Sequence, residues 1–397
     1  MQEKLALAAL SAGPGAARMR AWRLHAYGAA RDLRLEAARV PALRAPGDVL
    51  VRVRAASLNP IDVAMLAGYG ARALNALRAL EGAADGVEFP LVPGRDFVGH
   101  VVRAGPDSRL RPGQRVWGVL PPHRQGCHAD FVVVKDEWAG PAPAALSDAE
   151  AAGALYAALT ACAALRAAGL GAGAAGGGAP GAAGRAPRVL LLGLGGVGQA
   201  ALQLLAARGA HVLVGAAADL APLAARLGAA GLLDRHAADY ERRLQEAGPY
   251  DAVLDCAGLG GEEATARGWQ FSRYVTLTSP LLRSMEARGV AAGAVCAAAT
   301  LAAQNARAAA GARGAGPRAG PLPPQVRWAF FSPSATDIEQ LRRLAERGQF
   351  GVCVEQVFPW WSGAEAYERA QRGAARGKLV LDFTAEAEGG GEPATAS

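Results

Sequence analysis

The chain has 397 residues, long enough for two domains, and 51% of them are hydrophobic, enough for a buried core. Its formal charge is +7, but the 42 cationic side chains are lysine only at Lys4, Lys135 and Lys378 and arginine everywhere else, inflated together with Ala and Gly. The arginines are scattered and alternate with acids, as in Glu241-Arg242-Arg243, which marks solvated helix faces and argues against a nucleic-acid partner. Cys127, Cys162, Cys256, Cys296 and Cys353 are widely spaced and odd in number, with no CxxC, which excludes a disulfide framework or a structural zinc lobe and points to a reduced compartment. No run of 18 apolar residues is free of Gly or charge, so no spanning helix is predicted.

Residues 1–18 read as a disordered leader. They are alanine-rich, and Glu3 and the shortage of arginine speak against a mitochondrial presequence. From Met19 the text is β-like. Val49-Leu-Val-Arg-Val-Arg54 alternates as a half-buried strand does, and 98–103, 116–120 and 131–134 are further short strands. Turns at Pro46-Gly-Asp48, Pro93-Gly94 and Pro112-Gly113 separate them. Many short strands with regular turns predict a small barrel-like domain over 19–146.

Ser147 opens a helical region, with Glu150 three residues later completing a capping box. Helices and strands then alternate to about residue 299, which predicts an α/β, doubly wound parallel sheet over 147–325. Within it, Val189-Leu-Leu-Leu-Gly-Leu-Gly-Gly-Val-Gly-Gln199 is the most informative run. A strand leads into Gly193, Gly195 and Gly198 at GxGxxG spacing, and 200–207 continues as helix. Gly193 permits the tight turn, Gly195 lets a pyrophosphate approach bare backbone, and Gly198 lets the helix pack close to the sheet. The helix N-terminus adds N–H donors and a positive dipole end, so Gly195, Gly196, Val197 and Gly198 are expected to hold a pyrophosphate. GxGxxG alone is weak in a chain with 51 glycines; the strand before it and the helix after it carry the reading.

His211-Val-Leu-Val-Gly215 reads as the second strand. Its tip, Gly215-Ala-Ala-Ala218, lacks the acid that binds ribose hydroxyls in an NAD site, so NADPH is admitted. Asp219 reads as a helix N-cap. Arg235, and with less weight Arg226, are the cations available to a 2′-phosphate; both also read as ordinary surface arginines. Asp255, at the end of Tyr250-Asp-Ala-Val-Leu-Asp255, and Leu277 and Thr278, at the end of Tyr274-Val-Thr-Leu-Thr278, fall at the carboxyl edge where such sheets bind ligands. Their backbone is expected at the nicotinamide ribose. Two low-complexity stretches, 169–186 and 304–324, read as loops. Val326-Arg-Trp-Ala-Phe-Phe331 returns to strand, 336–348 is an amphipathic helix, and 353–357 and 379–383 are closing strands. Residues 326–383 are therefore read as a return to the first domain, and 384–397 as a disordered tail.

This arrangement resembles the medium-chain dehydrogenase/reductase superfamily. Gly47-Asp48-Val-Leu-Val-Arg-Val-Arg-Ala-Ala-Ser-Leu-Asn59-Pro60-Ile-Asp62, Gly94-Arg-Asp96-Phe-Val-Gly99, Arg111-Pro-Gly113-Gln-Arg-Val116 and Ala375-Arg-Gly-Lys378-Leu-Val-Leu are similar to its quinone-oxidoreductase branch. Gly68-Tyr-Gly-Ala-Arg-Ala-Leu-Asn75, Glu88-Phe-Pro-Leu-Val-Pro-Gly-Arg-Asp96, Arg327-Trp-Ala-Phe-Phe331 and Val354-Glu-Gln-Val-Phe-Pro359 are similar to the mitochondrial reticulon-interacting oxidoreductases. The resemblance covers 19–383. It implies a GroES-like β-barrel catalytic domain beside a Rossmann domain, and an NADPH-dependent quinone reductase of the mitochondrial matrix linked to coenzyme Q metabolism. It further implies reticulon partners at the outer membrane for some members, and a homodimer through the central sheet. Ala217 then lies at the 2′-phosphate where a serine is expected, Arg235 stands where a tyrosine is expected, and Leu194 sits in a glycine loop one residue short. Ala375 and Arg376 are expected at the cofactor, a surface arginine being the other reading of Arg376.

Zinc alcohol dehydrogenases of that superfamily hold a metal with Cys, His and Cys. Here Asn59 stands at the first cysteine and Gly94-Arg95-Asp96 replaces Gly-His-Glu; Arg95 cannot be a ligand, so no metal is expected. Cys127-His128 reads as ordinary loop and strand. Without a Lewis acid, a reduced nicotinamide must give hydride to an acceptor already polarised, a quinone or an enone. The protein then supplies an apolar slot and a donor for the developing oxyanion. Tyr69 and Asn59 are the catalytic candidates; a packing tyrosine and a turn-fixing asparagine remain open for the same positions. Asp62 is read as loop support, and Trp328, Phe330 and Phe331 as slot or core. The alternative function is a scaffold or assembly protein that binds NADPH with little turnover.

Overall fold

A computed structural model describes residues 17–81, 88–171, 185–311, 323–373 and 375–386. Most of the expected leader, most of the stretch 169–186, residues 312–322 and the tail from 387 lie outside the described residues. The chain divides into two compact units, Met1–Tyr156 with Pro333–Ser397, and Ala157–Ser332. In chain order the strands are β1 (Arg18–Arg23), β2 (Arg34–Arg39), β3 (Asp48–Leu58), β4 (Asp96–Ala104), β5 (Arg115–Val119), β6 (Phe131–Lys135), β7 (Ala139–Pro141), β8 (Arg188–Leu192), β9 (His211–Ala216), β10 (Gly231–Asp234), β11 (Tyr250–Asp255), β12 (Phe271–Thr276), β13 (Gln325–Trp328), β14 (Val354–Pro359) and β15 (Lys378–Asp382).

In the first unit β3 is the spine. Its valines at 49, 51 and 53 are buried, and so are Leu50, Ala55 and Ala56, so most of the strand is covered on both faces. Each buried Val or Leu contributes about 1.5–3 kcal/mol. Among the described residues the sheet runs β14-β15-β3-β4-β5-β7, with β6 also on β3. β6 pairs with Asp48–Arg52, β15 with Ala55–Leu58, and β4 along nearly the whole strand. One strand serving three partners curls the sheet towards a barrel. The β1–β2 hairpin, unforeseen in the sequence, completes this unit's strands. The helix Asp148–Ala152 packs on β3 and β4 through buried Ala151 and Ala152. Its cap is as expected: Ser147 N–H donates to the Glu150 carboxylate at 2.9 Å, and Glu150 N–H to Ser147 Oγ at 3.3 Å. Because that helix packs on the barrel strands, the boundary falls after Tyr156 rather than before Ser147.

Among the described residues the second unit holds six parallel strands in the order β10-β9-β8-β11-β12-β13. This is the doubly wound order, with its topological switch between β8 and β11. Both strands are buried throughout except at Arg188 and Asp251 near their starts, as parallel strands covered by helices on both faces must be. The core around them includes Leu190, Leu192, Tyr250, Val253, Phe271 and Tyr274.

Three sequence expectations change here. β13 pairs in parallel with β12, so 326–328 is the outer strand of this sheet, and the return to the first unit begins at Pro333. A short aromatic strand does not say in its own text which sheet it joins. Residues 304–311 are not loop but the last turns of the helix Val290–Gly311. Alanine-rich text lowers complexity, yet alanine is the best helix former. Asp219 lies inside a single 3-10 turn, Ala218–Leu220, whose N-cap is Ala217.

Candidate functional site

β8 ends at Leu192, and the chain turns through Gly193 with φ +86°. A β-carbon there would lie 3.0 Å from Ala257 N and 3.1 Å from Ala257 Cα, so the glycine turn rests directly on the loop after β11. Gly195 is the N-cap of the helix Gly196–Ala206; its backbone is extended, and a β-carbon would meet nothing within 4 Å. A β-carbon on Gly198 would lie 2.2 Å from Gly193 O. The three glycines thus serve separate ends: a left-handed turn, an open face, and helix-to-turn packing. Gly196, Val197 and Gly198 precede the first helical hydrogen bond, Gln199 N–H to Gly195 O at 2.8 Å, so their N–H groups are available at the helix end. Open space beside Gly195 and these donors fit a pyrophosphate. Leu194 is 4% exposed, so its side chain belongs to the core and leaves that face clear.

The neighbouring edge is set by strand register. Ala216 on β9 lies opposite Asp234 on β10, so Ala217 and Arg235 leave adjacent strands together, and Arg235 N–H donates to Ala216 O at 2.9 Å. Arg235 is exposed, its Nε 3.2 Å from His236 Nε2. Arg226 instead closes the helix Ala221–Arg226, which runs on from that edge for about 9 Å. The structure therefore puts Arg235, and not Arg226, beside Ala217.

Asp255 organises the switch point. Its carboxylate is fully buried. One oxygen accepts the N–H groups of Ala257, Gly258 and Leu259 at 3.1, 2.9 and 3.1 Å. The other accepts Gly260 N–H at 2.8 Å and the Thr276 hydroxyl at 2.7 Å. Thr278 N–H donates to Thr276 Oγ1 at 3.0 Å, and Leu277 N–H to Asp255 O at 3.3 Å. Asp255, Leu277 and Thr278 are thus joined by hydrogen bonds into one group. Trp328 ends β13 in the same sheet, whereas Phe330 is 46% exposed and is no core residue.

In the first unit, Asn59 ends β3 and precedes the helix Pro60–Leu66. It was expected as a donor towards substrate, but it is 3% exposed and its amide is already engaged. Its Nδ2 donates to Asp96 at 2.8 Å, and its Oδ1 accepts Lys378 Nζ at 2.6 Å. Asp96 also accepts the Ser57 hydroxyl at 2.5 Å and Tyr156 N–H at 3.1 Å. Asp62, as expected, supports the loop: it accepts Asn59 N–H and Gly94 N–H at 2.9 Å each and faces Arg95 Nε at 3.2 Å. Arg95 donates further to the carbonyls of Val92, Pro121 and Arg124. His128 bridges Ser57 O and the Tyr367 hydroxyl at 3.1 Å each, and burial pushes its pKa down to about 4, so the ring is neutral.

This lattice of Asp62, Asp96, Arg95 and Lys378 joins two acids and two bases, all buried. Lys378 was missed in the sequence as a partner of Asn59, since nothing local links residues 319 positions apart. Tyr69 is half-buried, and its hydroxyl makes no hydrogen bond among the described residues. Tyr156, also missed, lies close enough to feel Asp62, Asp96 and Tyr69; burial, then Asp62, raises its phenol well above the ordinary range. Ala375 leads into the bend at Arg376 and Gly377 before β15 in this unit, with Arg376 exposed.

Two family descriptions match the chain: Alcohol dehydrogenase GroES-like domain over residues 45–146, and Zinc-binding dehydrogenase over 227–381. NAD(P)H oxidoreductase RTN4IP1, mitochondrial, of Drosophila melanogaster is 37% identical over 372 residues, covering 93% of this chain and 87% of that protein. The Homo sapiens protein of the same name is 35% identical, covering 92% and 89%. The solved quinone oxidoreductase from Coxiella burnetii superposes with a TM-score of 0.70 at 24% identity, covering 92% of this chain and all of that one, a likeness of fold.

The residues here do not fit the zinc of the second description. Zinc needs converging sulfur, nitrogen or carboxylate lone pairs. Arg95 offers only donors, Asn59 Oδ1 is taken by Lys378, and the carboxylates of Asp62 and Asp96 are taken by N–H and O–H groups. The glycine loop, by contrast, fits a dinucleotide. The chain belongs to the NAD(P)H oxidoreductase RTN4IP1 family within the medium-chain dehydrogenase/reductase superfamily, two-domain α/β oxidoreductases that use a nicotinamide cofactor.

Proposed function

We propose that this chain is a zinc-independent, NADPH-dependent reductase that delivers hydride to a quinone or an enone. The observation that carries the reading is the occupied metal position. Arg95, paired with buried Asp62, and Lys378, held by the amide oxygen of buried Asn59, fill the place where a catalytic metal would need free ligands. Without a Lewis acid, oxidation of an alcohol is disfavoured, whereas a quinone or enone is already polarised to accept hydride. The bound cofactor would supply hydride. Everything else falls to the chain's own residues. Gly193, Gly195, Gly196, Val197 and Gly198 hold the pyrophosphate, with the helix N-terminus countering its charge. Ala217 leaves room for the 2′-phosphate and Arg235 pairs with it. The backbone at Asp255, Leu277 and Thr278 meets the nicotinamide ribose, and Ala375 and Arg376 add cofactor contacts. Tyr69 donates to the oxygen that gains charge as hydride arrives, and its unengaged hydroxyl supports that role.

The names of the relatives support a mitochondrial location; the matrix and coenzyme Q metabolism as the setting follow from the family resemblance alone. The name Reticulon-4-interacting protein 1 of the Caenorhabditis elegans relative supports a reticulon-type partner; its place at the outer membrane follows from the family resemblance alone. A homodimer through the central sheet follows from the same family reading. The test is titration of the purified chain with NADPH and NADH, followed by turnover with a short-chain ubiquinone and with enals. NADPH preference with hydride transfer is the expected result. Tight cofactor binding without transfer to any of these acceptors would replace the reductase with a cofactor-binding scaffold.

A further inference from the structure

We infer that Asp255 is the positioning residue that holds both loops of the switch point in their cofactor-binding form; this rests on reading that edge as a nicotinamide dinucleotide site. A carboxyl group withdrawn from water is unfavourable unless its lone pairs are met. Here five donors meet them, and none comes from a charged side chain: four consecutive backbone N–H groups, Ala257 to Gly260, and the Thr276 hydroxyl. A residue serving only to fill the core has no use for four successive amides. The carboxylate dictates the path of the loop, wrapping it round a single centre.

Two contacts carry that shape to the cofactor. The Ala257 backbone stands where a β-carbon of Gly193 would meet it, and Cys256 Cβ lies 3.8 Å from where a β-carbon of Gly198 would lie. The phosphate turn therefore rests on the Asp255 loop, and movement of one displaces the other. Thr276 carries the constraint across the sheet: its hydroxyl donates to Asp255 and accepts Thr278 N–H, which fixes the loop after β12. With its four N–H groups turned in on Asp255, the 257–260 segment has carbonyl acceptors left to offer, the partners that ribose hydroxyls require.

The experiment uses the full-length chain and the variants Asp255→Asn, Thr276→Val and Thr276→Ser. Asparagine keeps one acceptor but turns an amide N–H against Gly260 N–H. Valine removes the relay hydroxyl, and serine restores it. NADPH dissociation constants come from fluorescence titration, cofactor KM and acceptor KM from steady-state kinetics, and folding from thermal unfolding. Asp255→Asn should weaken NADPH about tenfold and Thr276→Val about threefold, with acceptor KM unchanged and Thr276→Ser within about twofold of wild type. Folded Asp255→Asn and Thr276→Val proteins that bind NADPH as wild type does overturn the inference, as does a fall in thermal stability with cofactor affinity unmoved. Wild-type protein that binds neither NADPH nor NADH instead removes the cofactor reading on which the inference stands.

Discussion

Alanine at Gly195 and alanine at Gly198 should have opposite consequences, although both glycines belong to one sequence signature. Gly195 has φ −74° and ψ −171°, open to any residue, and a methyl group there meets nothing within 4 Å. Gly195→Ala should leave folding intact or raise stability by about 0.4–1 kcal/mol, because the unfolded chain loses freedom. The methyl group nevertheless occupies the face beside the helix-end N–H donors. Displacing a phosphate oxygen from one such charge-assisted bond costs about 1.5–3 kcal/mol, and about 1.4 kcal/mol is tenfold in affinity, so NADPH should bind roughly tenfold to a hundredfold more weakly. At Gly198 the helix itself would favour alanine by about 1 kcal/mol. The methyl group would lie 2.2 Å from Gly193 O, a backbone atom that can yield only if the turn opens. Overpacking of that kind costs about 1–3 kcal/mol, a net loss of up to about 2 kcal/mol. At about 2–4 °C per kcal/mol, Tm should fall by several degrees. NADPH titration and thermal unfolding, run in parallel on both variants, separate the two effects. A folded Gly195→Ala protein with wild-type NADPH affinity would refute the pyrophosphate assignment.

Removing the hydroxyl in Tyr69→Phe should lower kcat about tenfold or more while NADPH affinity stays put; equal kcat values would return Tyr69 to a packing role. Arg235→Ala should weaken NADPH about tenfold and leave NADH nearly untouched, since only the 2′-phosphate is unpaired; equal losses for both cofactors would remove Arg235 from that subsite. Acid should destabilise the protein through His128. Its pKa is pushed down to about 4 in the folded state, chiefly by burial, while an unfolded histidine titrates near 6.5. Below about pH 6.5 the unfolded chain binds the proton first, so this contribution is complete above that pH and is lost as pH falls towards 4, by up to about 3 kcal/mol. Urea unfolding between pH 7 and 4.5 should show a steeper decline for wild type than for His128→Gln, and identical slopes would contradict the assignment.

What the sequence revealed was what neighbours in the chain determine. The 189–199 run joins strand, turn and helix within eleven consecutive residues, and Ser147 with Glu150 forms its cap three residues apart. Those signals need no knowledge of the rest of the fold. The Asn59–Lys378 bond needs all of it, because the first and last strands of the barrel must pair before the two residues meet. A strand end before proline offers Asn59 equally as a donor towards substrate or as a turn-fixing residue, and shows nothing of Asp96 or Lys378. β13 went to the wrong unit because a strand's text records its burial but not its partner. The last turns of the helix Val290–Gly311 lie in alanine-rich text that reads as loop because composition, not periodicity, dominates it. Asp255 falls at the carboxyl edge in the sequence reading too, but four of its five inward bonds come from backbone amides, which carry no side-chain signature.

The quartet of Asp62, Asp96, Arg95 and Lys378 also constrains how such a protein can change. Cysteine at Asn59 would strip Lys378 of its acceptor, and histidine at Arg95 would replace a five-donor fork that reaches Asp62 and three carbonyls. Each step taken singly strands a charge in the interior, at about 3–5 kcal/mol, a large part of a domain's stability. A metal centre at this position is therefore costly to reach one substitution at a time, and a designer who wants one does better to rewrite the whole cluster together.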